Sequence, residues 1–170
     1  LVAYLPRYAD AASRFAGLLN LRDKVPGMAR LSERLLGLSA RRSLPAWQRQ
    51  TFLRAHRAGE RAAVRPVAVN GAARAGLPPV VLWVDTFSNH FEPRNLHAAL
   101  RVLRAAGYDV TLAEPGADDT DRGALCCGRT FLSAGLVDEA TRQARRTLDA
   151  LSPHVDRGAL VVGLEPSCVL

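Results

Sequence analysis

The sequence predicts an α/β fold, in which a small parallel sheet with flanking helices follows an arginine-rich α-helical extension. Three short apolar runs recur in the C-terminal half, segments with helical periodicity separate them, and the N-terminal part has helical leucine spacing instead. Strands that alternate with helices in this way form mainly parallel sheets with right-handed connections. The 170 residues, 48% of them hydrophobic, suffice for one domain with a core or a small domain with an extension, and they exclude a disordered chain.

The first region, residues 1–57, is predicted to be a helical connector. Apolar residues at spacings near three and four run through residues 28–38. Trp47, Phe52 and Leu53 are predicted to share another short helix. Because these helices are amphipathic, we expect them to pack on another part of the protein.

Residues 58–79 are rich in Ala, Gly, Arg and Pro and are predicted to be a linker.

The α/β unit follows over residues 80–170. Its predicted elements are a strand at 80–84, a helix at 94–106, a strand at 108–112, a helix at 136–151 and a strand at 160–164. The first run is continuously apolar, as in a strand that is buried on both faces. An acidic loop is predicted at 116–122.

The net charge of +7 is distributed unevenly along the chain. Residues 1–76 carry 14 basic and 4 acidic side chains, whereas residues 77–170 carry 9 basic and 12 acidic ones. Such a basic flank can meet nucleic acid, anionic lipid or an acidic protein surface, although a solvated helical face is the preferred interpretation.

No apolar stretch is long enough for a transmembrane helix, and three cysteines are too few for a disulfide scaffold.

Cysteines and a carboxylate follow the three predicted strands. Asp85 comes directly after the first strand, Cys126 and Cys127 lie in the loop after the second, and Cys168 comes shortly after the third. Because ligand sites of parallel α/β sheets gather beyond the carboxyl ends of the strands, we expect all four side chains on one rim.

Thiolates are soft ligands that suit iron–sulfur clusters, zinc and copper(I). Gly128 allows the backbone to bend so that the sulfurs of Cys126 and Cys127 can face one centre. Helix N-termini after Cys127 and after Cys168 would favour the thiolate form. The alternative is that the cysteines are small buried hydrophobic residues, as free cysteines often are.

His90 lies on the same predicted rim and has the chemistry of a proton donor or of a residue that orients a ligand. No partner at metal-ligand spacing accompanies it. A histidine on the surface or at a helix start is the preferred interpretation.

Residues 80–170, about 90 of the 170, resemble the cysteine-rich CCG domain of heterodisulfide-reductase-type and anaerobic glycerol-3-phosphate dehydrogenase iron–sulfur subunits. The resemblance is greatest to iron–sulfur-containing FAD-linked oxidases of the D-lactate and glycolate dehydrogenase type. The matching segments are Trp83-Val84-Asp85-Thr86-Phe87-Ser88-Asn89, Leu125-Cys126-Cys127-Gly128-Arg129 and Glu165-Pro166-Ser167-Cys168. The first region resembles the connector that follows the ferredoxin-like segment of such proteins.

The resemblance implies an iron–sulfur cluster of the 4Fe-4S type with Cys126, Cys127 and Cys168 as cluster-binding and metal ligands. Asp85 stands where the family has its leading cysteine and is the expected fourth metal ligand. Glu165 stands at the other place of the final two-cysteine motif. A degenerate remnant that is kept only for folding is the alternative.

The resemblance implies an electron-transfer module of a flavin-dependent 2-hydroxy-acid dehydrogenase, with FAD held in a missing part of the parent. Expected partners are the FAD-binding domain or subunit, a ferredoxin-like segment and an acceptor such as a quinone, in the cytoplasm or at the inner face of the membrane. The sequence is expected to be a fragment, truncated at its C-terminal end and not catalytic alone. The alternatives are a cofactor-free docking module of the same oxidoreductase and, ranked last, a nucleic-acid binder, so that no nucleic-acid partner is expected.

Overall fold

The computed structural model describes residues 2–59, 76–115 and 123–169. The helices before the sheet are α1 (Leu5–Arg14), α2 (Ala16–Leu19), α3 (Met28–Leu36) and α4 (Phe52–Arg57). The α/β unit continues with β1 (Val80–Trp83), α5 (Thr86–His90), α6 (Pro93–Ala105), β2 (Val110–Ala113), α7 (Arg129–Ser133), α8 (Val137–Val155), β3 (Leu160–Gly163) and α9 (Pro166–Val169).

The three strands form a parallel sheet in the order β2-β1-β3, which confirms the predicted α/β fold with flanking helices. Val80 of β1 is in register with Val110 of β2 on one side and with Leu160 of β3 on the other. The central place of β1 explains its composition, because a strand with neighbours on both edges and helices on both faces has no exposed side. All four of its residues are buried.

Alternate residues of β1 face two different layers. Val80 and Leu82 pack in a core cluster with residues of α4 and α6, among them Phe52 and Leu96. Val81 and Trp83 face the opposite layer, where α8 and the segment around Leu125 pack. Because Phe52 and Leu53 belong to the same core cluster as β1, the helical N-terminal region packs directly on the α/β unit.

The strands and the two long helices lie within a few residues of their predicted limits. The largest difference is at α8, which was predicted to end at residue 151 and continues to Val155. Pro153 lies in the last turns of α8. Because proline has no backbone N–H, one hydrogen bond of the helix is lost there. The Asp156 N–H still donates to the Ser152 carbonyl (2.9 Å), so the helical turn closes beyond the proline.

Trp47 does not share a helix with Phe52, so this part of the prediction is wrong. Helix α4 begins at Phe52 because Thr51 caps it: the Arg54 N–H donates to the Thr51 hydroxyl at 3.3 Å. Trp47 lies before this cap, outside any helix, and its ring packs 4.5 Å from that of Phe91. The aromatic side chain therefore joins the connector to α5 and not to α4.

The apolar stripe of α3 is exposed in the structure. Leu31 and Leu35 have 48% and 70% of their surface in contact with solvent, and no residue of α3 is buried. Within the described ranges, nothing covers the stripe that we expected to pack. Gly37 ends the helix in the left-handed conformation (φ 70°), which a residue without a Cβ adopts readily.

Most of the predicted linker and the whole acidic loop at 116–122 lie outside the described residues. Within the described residues, no helix combines the length and the apolar character needed to cross a membrane.

Candidate functional site

The carboxyl ends of the three strands meet at one rim, as predicted. Asp85 follows β1 and forms a parallel bridge with Leu125, so the segment that carries Cys126 and Cys127 runs beside the start of α5. Cys168 lies in α9, after β3. The topology thus brings the cysteines to the edge at which ligand sites of parallel sheets occur.

Side chains of α8 hold the carbonyl groups of the loop that carries the vicinal cysteines. Thr147 donates its hydroxyl to the Cys126 carbonyl at 2.8 Å, and Arg146 donates to the carbonyls of Ala124 (3.2 Å) and Gly123 (2.7 Å). On the other side, the Thr86 hydroxyl donates to the Leu125 carbonyl at 3.2 Å. Since buried carbonyl groups need partners, these bonds fix the path of the loop and with it the position of both thiols.

The Sγ atoms of Cys127 and Cys168 lie 3.3 Å apart, although the residues are 41 positions apart in sequence. Two contacts hold α9 at this distance. The Arg129 guanidinium donates to the Ser167 carbonyl at 2.9 Å, and Val169 packs so closely on Gly163 that a Cβ there would overlap its side chain.

Cys126 occupies the most buried of the three cysteine positions, with 4% of its surface exposed. Its sulfur accepts a hydrogen bond from the Gly128 N–H at 3.4 Å, and its thiol also hydrogen-bonds with Cys127. All three cysteines are free thiols. The structure therefore brings the thiols of Cys126, Cys127 and Cys168 into one hydrogen-bonded group.

The hydrogen bonds within this group separate the pKa values of the three thiols. Bonds from the Cys126 and Cys168 thiols, and one from the Arg129 N–H, lower the pKa of Cys127 despite its partial burial. Donation to Cys127, together with burial, raises the pKa of Cys126 and that of Cys168. The hydrogen bonds thus favour the thiolate at Cys127 and the thiol form at Cys126 and Cys168, because a donor beside a sulfur stabilises its thiolate.

Asp85 serves as the N-cap of α5, and only 2% of the surface of this residue is exposed. One oxygen, Oδ1, accepts the Ser88 N–H at 2.9 Å, whereas the other, Oδ2, is buried without a hydrogen-bond partner among the described residues. Burial raises the pKa of Asp85, and the bonds from Ser88 oppose the rise. Its charge also reaches Cys168, whose pKa it helps to raise.

The carboxylate of Glu165 is held by hydrogen bonds at the start of α9. Its carboxylate accepts the Ser167 hydroxyl at 2.6 Å and the Ser167 N–H at 3.2 Å. The expected helix start after Cys127 is present, since α7 begins at Arg129. The expected helix start after Cys168 is wrong, because Cys168 lies inside α9, next to the end of the described chain.

A cavity of about 290 Å³ opens beside the thiols. Its wall includes the three cysteines together with Thr86, Arg129 and Ser167. Cys127 and Cys168 are each half-buried, and Arg129 is exposed. The cavity therefore gives a small molecule access to the sulfurs beside a cationic side chain.

His90 is not a surface residue, and it does not join the cysteines. It lies at the end of α5 with 1% of its surface exposed, where its Nδ1 pairs with the Ser13 hydroxyl (2.8 Å) and its Nε2 with the Asn89 amide (3.1 Å). Its role is to join α1 to α5 in the interior.

Sequence reasoning missed the residues that hold the cysteine-bearing segments. These residues form hydrogen bonds with main-chain carbonyl groups, and they are Arg129, Arg146 and Thr147. Neither arginine nor threonine is a residue type that marks a thiol site in a sequence. The only available signal was position: Arg129 directly follows the Cys-Cys-Gly segment, and Thr86 directly follows Asp85.

Within residues 2–59, 76–115 and 123–169, no group of three or more His, Cys, Asp or Glu side chains has an arrangement suited to a metal ion. The thiols are paired with one another.

Comparisons with protein-family models, with curated proteins and with solved structures give no match.

Proposed function

We propose that this chain is the iron–sulfur, electron-transfer module of a flavin-dependent 2-hydroxy-acid dehydrogenase of the D-lactate or glycolate type. The single observation that carries the proposal is the convergence of the thiols of Cys126, Cys127 and Cys168 from two distant segments at the carboxyl rim of a parallel sheet. The sequence resemblance of residues 80–170 to CCG domains supplies the kind of parent protein.

The donor set at the rim fits an iron–sulfur cluster in its chemistry. Thiolates are the usual protein ligands of such clusters. The Oδ2 atom of Asp85 is buried without a partner, and a buried carboxylate oxygen costs free energy unless something binds it. Cys126, Cys127 and Cys168 would hold the cluster, with Asp85 as the fourth ligand, and the cluster would supply one-electron transfer.

The surrounding residues prepare the sulfurs for such a role. The neighbouring S–H groups and the Arg129 N–H favour the thiolate of Cys127, which is the form that binds iron, whereas Cys126 and Cys168 would release their protons as iron binds. Thr147 and Thr86 fix the loop that carries Cys126 and Cys127. Burial of one side of the group against Val81 and Trp83 limits the access of water.

Anaerobic reconstitution of the purified chain with iron and sulfide tests the proposal. We expect a brown protein with visible absorption and, after reduction, an EPR signal. Cys127→Ser should abolish both signals, whereas Leu132→Ser, on the exposed side of α7, should keep them. A colourless wild-type protein that binds no iron would overturn the proposal.

A cofactor-free structural module of the same oxidoreductase is the second candidate. It is favoured by a specific observation: Cys127 and Cys168 pack against the apolar cluster of Val81, Trp83 and Leu125, as small core residues do. This candidate expects Cys127→Ser to leave the turnover of the parent enzyme unchanged. A large loss of turnover in a variant with normal circular dichroism would exclude it.

A further inference from the structure

Cys127 and Cys168 bring two free thiols into contact at the rim of the sheet. The two sulfurs lie 3.3 Å apart, and they belong to different elements of the fold: the loop before α7 and the short helix α9. Both are free thiols, half-buried, and both line the 290 Å³ cavity. Cys126 comes from the same loop as Cys127, but among the described residues the sulfur–sulfur contact between the loop and α9 is that of Cys127 with Cys168.

We propose that, in the metal-free protein, Cys127 and Cys168 form a reversible disulfide that ties α9 to the loop before α7. The sulfurs of a disulfide lie about 2.0 Å apart, so these two need to approach by only about 1.3 Å. The four-residue helix α9 can supply this movement, because Pro166 and Ser167 are exposed and the contacts described for α9 are the Arg129 hydrogen bond and the packing of Val169 on Gly163.

Cys126 is the poorer partner for either sulfur. It is 4% exposed, and its sulfur is engaged by the Gly128 N–H at 3.4 Å. A bridge between Cys126 and Cys127 would join consecutive residues, whose Cα atoms are about 3.8 Å apart, closer than in usual disulfides. The disulfide is therefore expected between Cys127 and Cys168 alone, with Cys126 left as a thiol.

The oxidant that we assign to this site is a small-molecule disulfide of the glutathione class. One thiolate of the pair attacks a sulfur of the reagent, the S–S bond of the reagent breaks, and a mixed disulfide forms as one reagent thiolate leaves. The second protein thiolate then attacks the protein sulfur of the mixed disulfide, and the second reagent thiolate leaves. The protein dithiol is oxidised by two electrons, and one reagent disulfide is reduced to two thiols, which take up the two protons.

The test uses the full chain, reduced and stripped of metal, and titrates it with oxidised glutathione under anaerobic conditions. We expect two of the three free thiols to disappear, without retained glutathione, and to return when dithiothreitol is added. Tryptic mapping should link the peptide of residues 123–129 to the peptide that begins at Gly158. Fragmentation between Cys126 and Cys127 should place the bond on Cys127.

Two variants and a control complete the design. Cys127→Ser and Cys168→Ser should each abolish the internal disulfide. Cys126→Ser should still form it, so that both remaining thiols of that variant disappear on oxidation. A Cys126–Cys127 bridge, a stable mixed disulfide with glutathione, or three unreactive thiols in the wild type would each overturn the proposal. Since no iron is present, the outcome is independent of the cluster proposed above, and either proposal can fail alone.

Discussion

Gly128 packs against the main chain of Ala140, which joins the cysteine segment to α8. A Cβ atom at Gly128 would lie 2.5 Å from the carbonyl oxygen of Ala140 and 3.1 Å from its Cα. The residue also has a positive φ of 85°, and its N–H donates to the sulfur of Cys126. The glycine of the Cys-Cys-Gly segment is therefore required both by the turn and by the close approach of two backbones.

Gly128→Ala should destabilise the fold more than Gly135→Ala, which is a matched control. Gly135 has a similar φ of 76° but open space where its Cβ would be. The control should cost about 1–2 kcal/mol for the left-handed conformation alone. Gly128→Ala should cost about 1–3 kcal/mol more, because the backbone of α8 has to move. Urea unfolding of both variants measures the difference, and equal losses would contradict the packing argument.

His90 should make the stability of the protein depend on pH in a defined window. Burial lowers the pKa of His90 to about 4 from the ordinary value of 6.5, against the attraction of Asp10 and with a smaller contribution from Arg54. The orientation of Asn89 favours the neutral ring, because its Oδ1 accepts the Leu53 N–H (2.9 Å) and leaves its NH₂ to donate to Nε2.

Between pH 6.5 and about 4 the unfolded chain binds a proton at His90 that the folded protein does not bind. The free energy of unfolding should therefore fall as the pH drops through this window, by at most about 1.4 kcal/mol per pH unit. Above pH 6.5, His90 should not change the free energy of unfolding with pH. Denaturation of the wild type and of His90→Gln at several pH values isolates this contribution from the carboxylates. Parallel curves for the two proteins would show that His90 is not the cause.

Glu139 should contribute to the docking of α1 on α8. Arg7 binds its carboxylate through two nitrogens, at 3.2 Å and 2.5 Å, and Arg142 on α8 binds it as well. Because Arg7 is half exposed, Glu139→Gln should cost only about 0.5–1 kcal/mol, and less at high salt. Asp138→Asn, in the same first turn of α8 and exposed, is the control that removes an equal charge. Similar losses for both variants, measured by urea unfolding, would mean that the helix dipole dominates.

Asp85 can be tested as a ligand separately from its role as a helix cap. Asp85→Ser keeps an N-cap oxygen for the Ser88 N–H, whereas Asp85→Ala removes it and should cost about 1 kcal/mol. If Asp85 is the fourth ligand, both variants should lose iron to a chelator faster than the wild type does. Unchanged iron retention in Asp85→Ser would restrict Asp85 to the cap.

The sheet and the cysteine rim were predictable from the sequence because they follow from local patterns. The apolar run that contains Val80 predicts a buried central strand, and parallel strands bring the residues after them to one edge. Cys168 is therefore expected near Cys127 without any knowledge of the atoms between them. The 3.3 Å contact itself depends on the fit of Val169 on Gly163, which no periodicity reports.

Features that depend on partners distant in sequence were not predictable. The burial of His90 requires Ser13, 77 positions away, and the place of Trp47 is set by Tyr8 and Phe91. The leucine stripe of α3 has the spacing of a packed helix, yet Leu35 is exposed. A hydrophobic pattern states which face can be buried and does not state what buries it.

The most direct measurement of the central claim is the amount of iron and acid-labile sulfide bound per chain after anaerobic reconstitution and desalting. The wild type should bind both, and Cys126→Ser, Cys127→Ser and Cys168→Ser should each bind little of either, because the three thiols are proposed to share one cluster. A wild type without bound iron, or three variants that bind as much as the wild type, would contradict the account.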